Sequence, residues 1–412
     1  MRPRVVIIGA GFGGLQCAKQ LSGEPVDVLL IDRNNYHLFT PLLYQVASSL
    51  LNPSDVAYPV RSVLRGSPNV RFRVADVNRI DHDRKVVRTG DGDEIPYDYL
   101  VVASGSQTNF FGLKSVQESA LPLKDLPEAI QLRTHVIRAF EGASRAVDPG
   151  ARGAWLTFAI VGAGPTGVEY AGALSELVNR VLRRDYPELD LSGVRIILIE
   201  ALAQVLPAFS PRLSADAIRR LRKLKVEVML NTRVLEATPS TVKLSTGETL
   251  GACTLVWCAG VKPSDLAGPR RIAVDEHLRM PGHAGVYAIG DAAGFVQDGK
   301  ELPMMSPQAM QEGRYVGRHI VAATRGEALK PFRYVDKGTM ATIGRHAAVA
   351  QVGPLSFTGP IGWIVWLFVH LYYIIGYRNR LAVLASWGWN YLFYDRPIRL
   401  ITSKTEGGQR GE

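Results

Sequence analysis

At 412 residues the chain exceeds what one ordinary core holds, so roughly two to three domains are expected. A 47% hydrophobic share with 40 glycines fits a globular protein and excludes a disordered or fibrous one. The balance of 48 Lys and Arg against 38 Asp and Glu, formally +10, favours acidic partners such as nucleic acid, dinucleotides or an anionic membrane face without choosing among them.

The first strand begins near Arg4, leaving no room ahead of it for a charged and then apolar leader, so no cleaved signal and a cytoplasmic body are expected. Residues 4 to 32 run through a Val/Ile strand, a glycine elbow, a helix "GLQCAKQLSG" and a second apolar strand "VDVLLID", the rhythm of a parallel βαβ unit. Gly9, Gly11 and Gly14 fit GxGxxG: glycine permits the tight turn, the close approach of backbone to pyrophosphate, and close packing of helix on strand. The helix N-terminal amides would face the phosphates, and Asp32, ending the second strand, can accept from a ribose. Such a turn can also be purely structural.

Residues 141 to 154, "EGASRAVDPGARGA", show no period and read as a surface link. Residues 157 to 200 then repeat the device, with Gly162, Gly164 and Gly167 in the elbow and Glu200 closing the second strand. The two elbows lie 153 residues apart, which is duplication rather than a short repeat. Glu200 comes 38 residues after Gly162, beyond the usual distance of roughly 20, so the helix and loop between them must be lengthened. A carboxylate there would repel the 2′-phosphate of NADPH and Ala201 offers no cation, so NADH is expected. Two dinucleotide sites in one chain imply transfer between them, most economically a hydride from NADH to a bound flavin.

A strand and turn, "GVYAIGDAAG", carry Asp291 at a presumed helix start, suited to a flavin ribityl or phosphate end or to N-capping. A helix is expected from about Ser306 to Ala323, and after Pro331 the composition shifts. Residues 361 to 377 form an apolar run of 17, short of the roughly 20 needed to span a bilayer. Trp363, Trp366, Trp387 and Trp389 with Arg378, Arg380, Arg396 and Arg399 suit an interface between protein and anionic lipid; a buried core or dimer helix is the alternative.

Together the segments "VVIIGAGFGGL", "IDRNNYHLFTPLLYQVA", "DYLVVASGSQTNFFG", "FAIVGAGPTGVEYAGAL", "VWCAGV", "GVYAIGDAA", "PQAMQEGRYVG" and "FVHLYYIIGYRNRLAVLASWGWNYLFYD" resemble the type II NADH dehydrogenases, single-subunit NADH:quinone oxidoreductases, along nearly the whole chain. The glycine motifs are common to all two-dinucleotide flavoproteins, whereas "HLFTPLLYQVA" and the aromatic tail are more specific. The resemblance implies FAD on the first half, with Gly105 and Asp291 among its contacts. It implies NADH on the second half, with Gly260 among its contacts, and a membrane quinone reduced near the flavin. It also implies that Glu169, just after the third glycine of the NADH elbow, lies near the nicotinamide on a proton route, a helix-end carboxylate being the plainer account. The family's AQxAxQ quinone pattern falls on Ser306 to Gln311: Gln311 matches the second glutamine, Pro307 replaces the first, and Gln308 is its neighbour.

Three cysteines, Cys17, Cys253 and Cys258, form no CxxC pair and no zinc spacing, so a reducing compartment and no metal are expected. Sulfide:quinone oxidoreductase, the runner-up on this fold, needs a reactive cysteine pair beside the flavin, and Cys253 and Cys258 stand at opposite parities of one presumed strand. A redox-dependent binding flavoprotein resembling apoptosis-inducing factor is the alternative from another class. No nucleic-acid module is present.

The sequence therefore reads as an α/β protein of two Rossmann-like dinucleotide-binding domains plus a C-terminal membrane-associating helical region. Its expected parts are 1–115 and 280–325 for FAD, 116–279 for NADH and 326–412 for the tail. The expected activity is respiratory and without proton pumping, at the cytoplasmic face of the membrane; a homodimer is open.

Overall fold

The Val/Ile runs flanking each glycine elbow become the middle of a five-stranded parallel sheet, twice. In the computed structural model, which describes residues 2–401, the first sheet runs Val286–Ala288, Tyr99–Val102, Arg4–Ile8, Asp27–Asp32, Val70–Val74. The second runs Leu121–Pro122, Thr254–Trp257, Thr157–Val161, Arg195–Ile199, Val226–Met229. Every pairing in both sheets is parallel. Strands buried on both faces need continuous apolar runs rather than alternation, and Thr157–Val161 is buried at all five positions.

Each half adds a three-stranded antiparallel meander between its fifth strand and the strand that returns beside the elbow: Val77–Asp81, Val86–Thr89 and Glu94–Pro96 in the first, Val234–Ala237, Thr241–Leu244 and Thr249–Gly251 in the second. The chain groups into two units. One comprises the residues through Leu38, Ala57–Gln107 and Val261–Lys337; the other comprises Phe39–Val56, Thr108–Gly260 and the chain from Gly338. The tail and the short insert Phe39–Val56 thus fold with the second sheet, where sequence composition alone separated the tail and left the insert with the first half.

Two local expectations are corrected. Residues 141 to 154 lie largely at the surface but are mostly helical rather than irregular: the helix Leu126–Arg145 runs through Gly142 and a second helix spans Pro149–Trp155. Gly142 is required inside its helix because the Trp155 ring would lie 2.8 Å from any Cβ there. The second helix starts on a capping signal, with Asp148 accepting from the Ala151 N–H at 2.7 Å and Pro149 at the first helical position. Asp291 does not start a long helix either; it sits in a single 3₁₀ turn, Gly290–Ala292, where the strand Val286–Ala288 ends.

The lengthened connection ahead of Glu200 has a clear form. The elbow helix Pro165–Glu176 continues through a π-helical turn, Leu177–Leu182, to Asp185, and a loop from Tyr186 returns to the strand Arg195–Ile199. π turns carry an extra residue within a helix and cluster at functional sites.

After a three-stranded antiparallel sheet (Thr339–Thr342, Ala348–Val352, Leu355–Thr358), the tail forms helices Gly359–Tyr373 and Tyr377–Phe393. Among the described residues no helix is long and apolar enough to cross a membrane. The first tail helix, apolar all round in sequence, is divided by packing. Gly362, Trp366 and His370 are buried, while Ile361, Ile364, Phe368 and Tyr372 form an exposed stripe at helical spacing. His370 stays neutral near pH 7, since burial pushes it down to about 4, and its Nδ1 pairs with the Trp366 carbonyl at 2.8 Å.

Candidate functional site

The two elbows are the same device in atomic detail. Gly9 and Gly162 take φ of +102° and +96°, a region that favours glycine. A Cβ on Gly14 would lie 1.8 Å from the Gly9 carbonyl oxygen, and one on Gly167 1.9 Å from that of Gly162, so the third glycine in each set lets helix meet strand. By contrast, a Cβ on Gly11 or Gly164 would meet nothing within 4 Å. These two residues cap the helices Phe12–Gln20 and Pro165–Glu176 with extended backbone, and the space beside each is open. A cradle that only an added side chain would fill is what a pyrophosphate needs, and both dinucleotides fit this test.

Each acid is clasped alike. Asp32 accepts from the Ala10 N–H at 2.7 Å and the Asn34 N–H at 2.7 Å; Glu200 accepts from Ala163 at 2.6 Å and Leu202 at 2.9 Å. Burial pushes the Asp32 carboxyl up and the two N–H bonds pull it back. The clasp fixes each carboxylate beside its elbow while leaving lone pairs for ribose hydroxyls. His37 seals the first elbow, its Nδ1 2.9 Å from the Ala10 carbonyl, and burial holds it neutral with its pKa down to about 4.

Asp291 accepts from the Ser106 hydroxyl at 2.5 Å, and its turn is held from below: the Gly290 N–H donates to Glu312 Oε2 at 2.5 Å, and Gln308 Nε2 donates to Glu312 Oε1 at 2.8 Å. Burial pushes the Glu312 carboxyl up to about 7. Gly105, at φ +69°, has open space beside it, and its carbonyl accepts from the Ser264 N–H at 3.1 Å. Gly260, at φ +72°, would press a Cβ onto the Phe111 ring at 2.5 Å.

The three residues in register with the quinone pattern sit at one helix start, Ser306–Thr324, with Pro307 in its first turn. Gln308 is fully buried under Glu312. Gln311 is half-buried, and its amide bonds the backbone of Val335 in both directions, at 2.8 and 3.0 Å.

Glu169 lies in the second unit, buried, in the wall of a pocket. Its Oε1 accepts from the Thr342 N–H at 3.2 Å, and burial pushes its carboxyl up to about 8 against that bond and the Trp366 indole. Aromatic walls come from Tyr44, Trp363, Trp366, Trp387 and Tyr391, and charge from Glu176, Arg345 and Arg396. Tyr44 and Gln45 come from "HLFTPLLYQVA", a segment the sequence marked as distinctive without marking these two residues.

The interfacial reading of the tail arginines needs correction. Arg396 is 2% exposed, donating to the Ser48 and Ala173 carbonyls at 2.8 and 3.0 Å and pairing with Glu176. Arg399 pairs with Asp185 and Asp395, and Arg380 donates to the Ile374 and Tyr372 carbonyls. Arg378 is exposed. Trp366 is buried, and Trp387 bonds Gln45.

The three cysteines are free thiols; burial raises all of them, Cys258 to about 12. Among the described residues, no group of three or more His, Cys, Asp or Glu side chains is placed to hold a metal ion.

Comparison with known proteins adds three findings. A family model for pyridine nucleotide-disulphide oxidoreductases matches residues 3–313, and one for the NDH2 C-terminal domain matches residues 337–394. The type II NADH:quinone oxidoreductase NdhA of Mycobacterium tuberculosis is 41% identical, over 98% of this chain and 90% of that protein. A type II NADH:quinone oxidoreductase of Staphylococcus haemolyticus is 32% identical, over 87% and 92%. Among solved structures, NDH2 from Plasmodium falciparum in complex with NADH matches with a TM-score of 0.90 over 97% of this chain and 100% of that one, at 20% identity, a likeness of fold.

Proposed function

The chain belongs to the type II NADH:quinone oxidoreductase family, and on that premise we propose that it oxidises NADH through bound FAD and reduces a membrane quinone without pumping protons. The observation that carries this reading is the duplicated elbow, each copy with an open cradle and a clasped acid. FAD, when bound, supplies the hydride acceptor and the two-electron donor. Gly9, Gly11, Gly14, Asp32, Gly105 and Asp291 hold it; Gly162, Gly164, Gly167, Glu200 and Gly260 hold NADH. Glu200 rejects a 2′-phosphate by its charge.

Quinone reduction also needs protons. Glu169 holds one on its carboxyl below about pH 8, on Oε2 where Oε1 is occupied by the Thr342 N–H, within an aromatic pocket suited to a planar ring. Gln311, whose amide can exchange a Val335 bond for a carbonyl, is the other proposed quinone residue, with Pro307 and Gln308 at the same helix start. The buried, raised thiols disfavour sulfide chemistry.

The second tail helix likewise exposes Tyr377, Leu381, Leu384 and Leu392. These exposed residues support peripheral attachment to an anionic membrane, with Arg378 exposed at the helix start; the cytoplasmic face is the side proposed. A second copy of the chain is the competing occupant. The test of function is the flavin spectrum of purified protein: anaerobic NADH should bleach it and a quinone restore it. Absence of flavin, or a reduced flavin indifferent to quinone, overturns the reading.

A further inference from the structure

Five residues from four separate stretches of sequence are linked in the second unit by hydrogen bonds, the last step passing from side chain to backbone within one of them. Trp387 Nε1–H on the second tail helix donates to Gln45 Oε1 at 2.7 Å. Gln45 Nε2–H donates to the Tyr44 hydroxyl at 2.9 Å, and that hydroxyl lies 2.8 Å from Thr342 Oγ1. The Thr342 N–H then donates to Glu169 Oε1 at 3.2 Å. Tyr44, Gln45, Glu169 and Thr342 are each less than a tenth exposed.

The direction of the first two links is fixed by chemistry. An indole nitrogen only donates, so it must face the amide oxygen of Gln45, which turns the amide nitrogen towards Tyr44. The phenol accepts that bond and shares one hydrogen with Thr342 Oγ1, either hydroxyl being able to donate. Threonine is β-branched and stiff about χ1, so a hydroxyl held at Oγ1 also fixes the backbone N–H aimed at Glu169.

We propose that Gln45 is a positioning residue: by joining Trp387 to the Tyr44 hydroxyl, it transmits the seating of the second tail helix to the backbone N–H that holds the Glu169 carboxylate. This inference rests on reading Glu169 as the acid of the quinone half-reaction. A tail drawn away from Gln45 loosens Thr342, and the acid loses the bond that favours its charged form. The other titratable or charged groups lining the pocket are Tyr44, Glu176, Arg345, Tyr391 and Arg396. Glu176 accepts from the Arg345 N–H and pairs with Arg396, so it is engaged independently of Gln45.

The test is stopped-flow reoxidation of NADH-reduced holoenzyme by a short-chain quinone across pH, for wild type, E169Q, Q45L, Y44F and the Q45L/Y44F double variant. Flavin reduction by NADH in the same preparations is the reference rate. The wild-type ratio of the two rates should show one ionisation that E169Q lacks. Q45L and Y44F should each move it to higher pH, by about half a unit to one unit, the scale of one weakened hydrogen bond. The double variant should move it no further than the singles, because the links act in series. If Q45L fails to retain flavin, Y44F, which removes one oxygen, carries the measurement. Wild-type profiles in Q45L and Y44F alongside an altered E169Q overturn the role of Gln45 alone; an ionisation that survives in E169Q overturns the assignment of Glu169 and the inference with it.

Discussion

Arg396 Nη2 stands 3.2 Å from Glu176 Oε2 with both side chains withdrawn from solvent, 2% and 13% exposed. Burial alone pushes the guanidinium down and Glu176 opposes that, so the ion pair is compensated rather than free. Replacing Arg396 by Met strands a buried carboxylate and two carbonyls, at Ser48 and Ala173, and should cost about 3–5 kcal/mol. R399Q, which breaks partly exposed pairs with Asp185 and Asp395, should cost about 1 kcal/mol or less. Urea unfolding of the two holoenzyme variants compares them directly, and equal losses would refute the distinction drawn from burial.

The second elbow separates binding from folding. G164A adds a methyl where nothing lies within 4 Å, so melting temperature should hold while the KM for NADH rises about tenfold or more, roughly one lost phosphate contact. G167A drives a methyl to 1.9 Å from the Gly162 carbonyl and should lose about 1–3 kcal/mol of stability. A G164A enzyme with unchanged KM would mean that no pyrophosphate occupies this cradle.

For Glu200 the clasp sharpens the expectation. In E200Q the amide nitrogen must face one of two N–H donors, Ala163 or Leu202, costing about 1–3 kcal/mol. The ratio of kcat/KM for NADPH over NADH should nevertheless rise, because the repelling charge is gone. That ratio, rather than either rate, is the measurement, and a fall or no change would remove Glu200 from cofactor selection.

Glu312 and Glu169 make stability depend on pH in one direction. An ordinary glutamate titrates near 4.5, whereas burial holds these at about 7 and about 8. Between those values the folded protein binds more protons than the unfolded chain, so stability falls as pH rises from about 4.5 through each folded value. Melting temperature recorded from pH 5 to 8.5 should decline less steeply in E312Q and E169Q than in wild type. A steeper decline in either variant would contradict the assigned burial.

Membrane attachment should be removable by surface substitution but not by cutting. Phe368 and Leu381 are 74% and 67% exposed, so F368E/L381E should release the enzyme from anionic vesicles in flotation while leaving NADH oxidation by a small soluble acceptor intact. Truncation after Thr358, by contrast, removes the Asn379 amide from the Ser54 and Asp55 carbonyls and Arg396 from Ser48 and Ala173, and should unfold the second unit. If the doubly substituted protein still floats, and sediments as a smaller species than wild type, these exposed residues are a dimer interface.

Much of this was legible in the chain because the elbows are local: φ near +100° at Gly9 and Gly162 and the helix–strand approach at Gly14 and Gly167 are demands that only glycine meets. The clasp on Asp32 and Glu200 follows from the same strand ends. The pocket was not legible: Glu169 was marked by its place after the second elbow and Trp387 as a tail aromatic, but their meeting with Tyr44 and Thr342 depends on long-range packing. Arg396 was misread for the same reason. A guanidinium among aromatics looks alike whether it reaches lipid or a buried carbonyl, and only the fold supplies Ser48 and Ala173. The Asp148–Pro149 cap was present in the sequence and overlooked among glycines and alanines.

The π turn at Leu177–Leu182 acts as a spacer of fixed angular setting. Arg180 within it lies over the Tyr394 ring at 5.2 Å, and Asp185 just beyond it reaches Arg399 at 2.7 Å. Where the wide turn does not rewind to absorb the change, a residue added or removed here rotates everything downstream by about 100°, swinging Asp185 off its partner. The length of this stretch is therefore under stricter constraint than its composition: single deletions and insertions should be tolerated far less than substitutions, because they would misalign the latch that holds the tail.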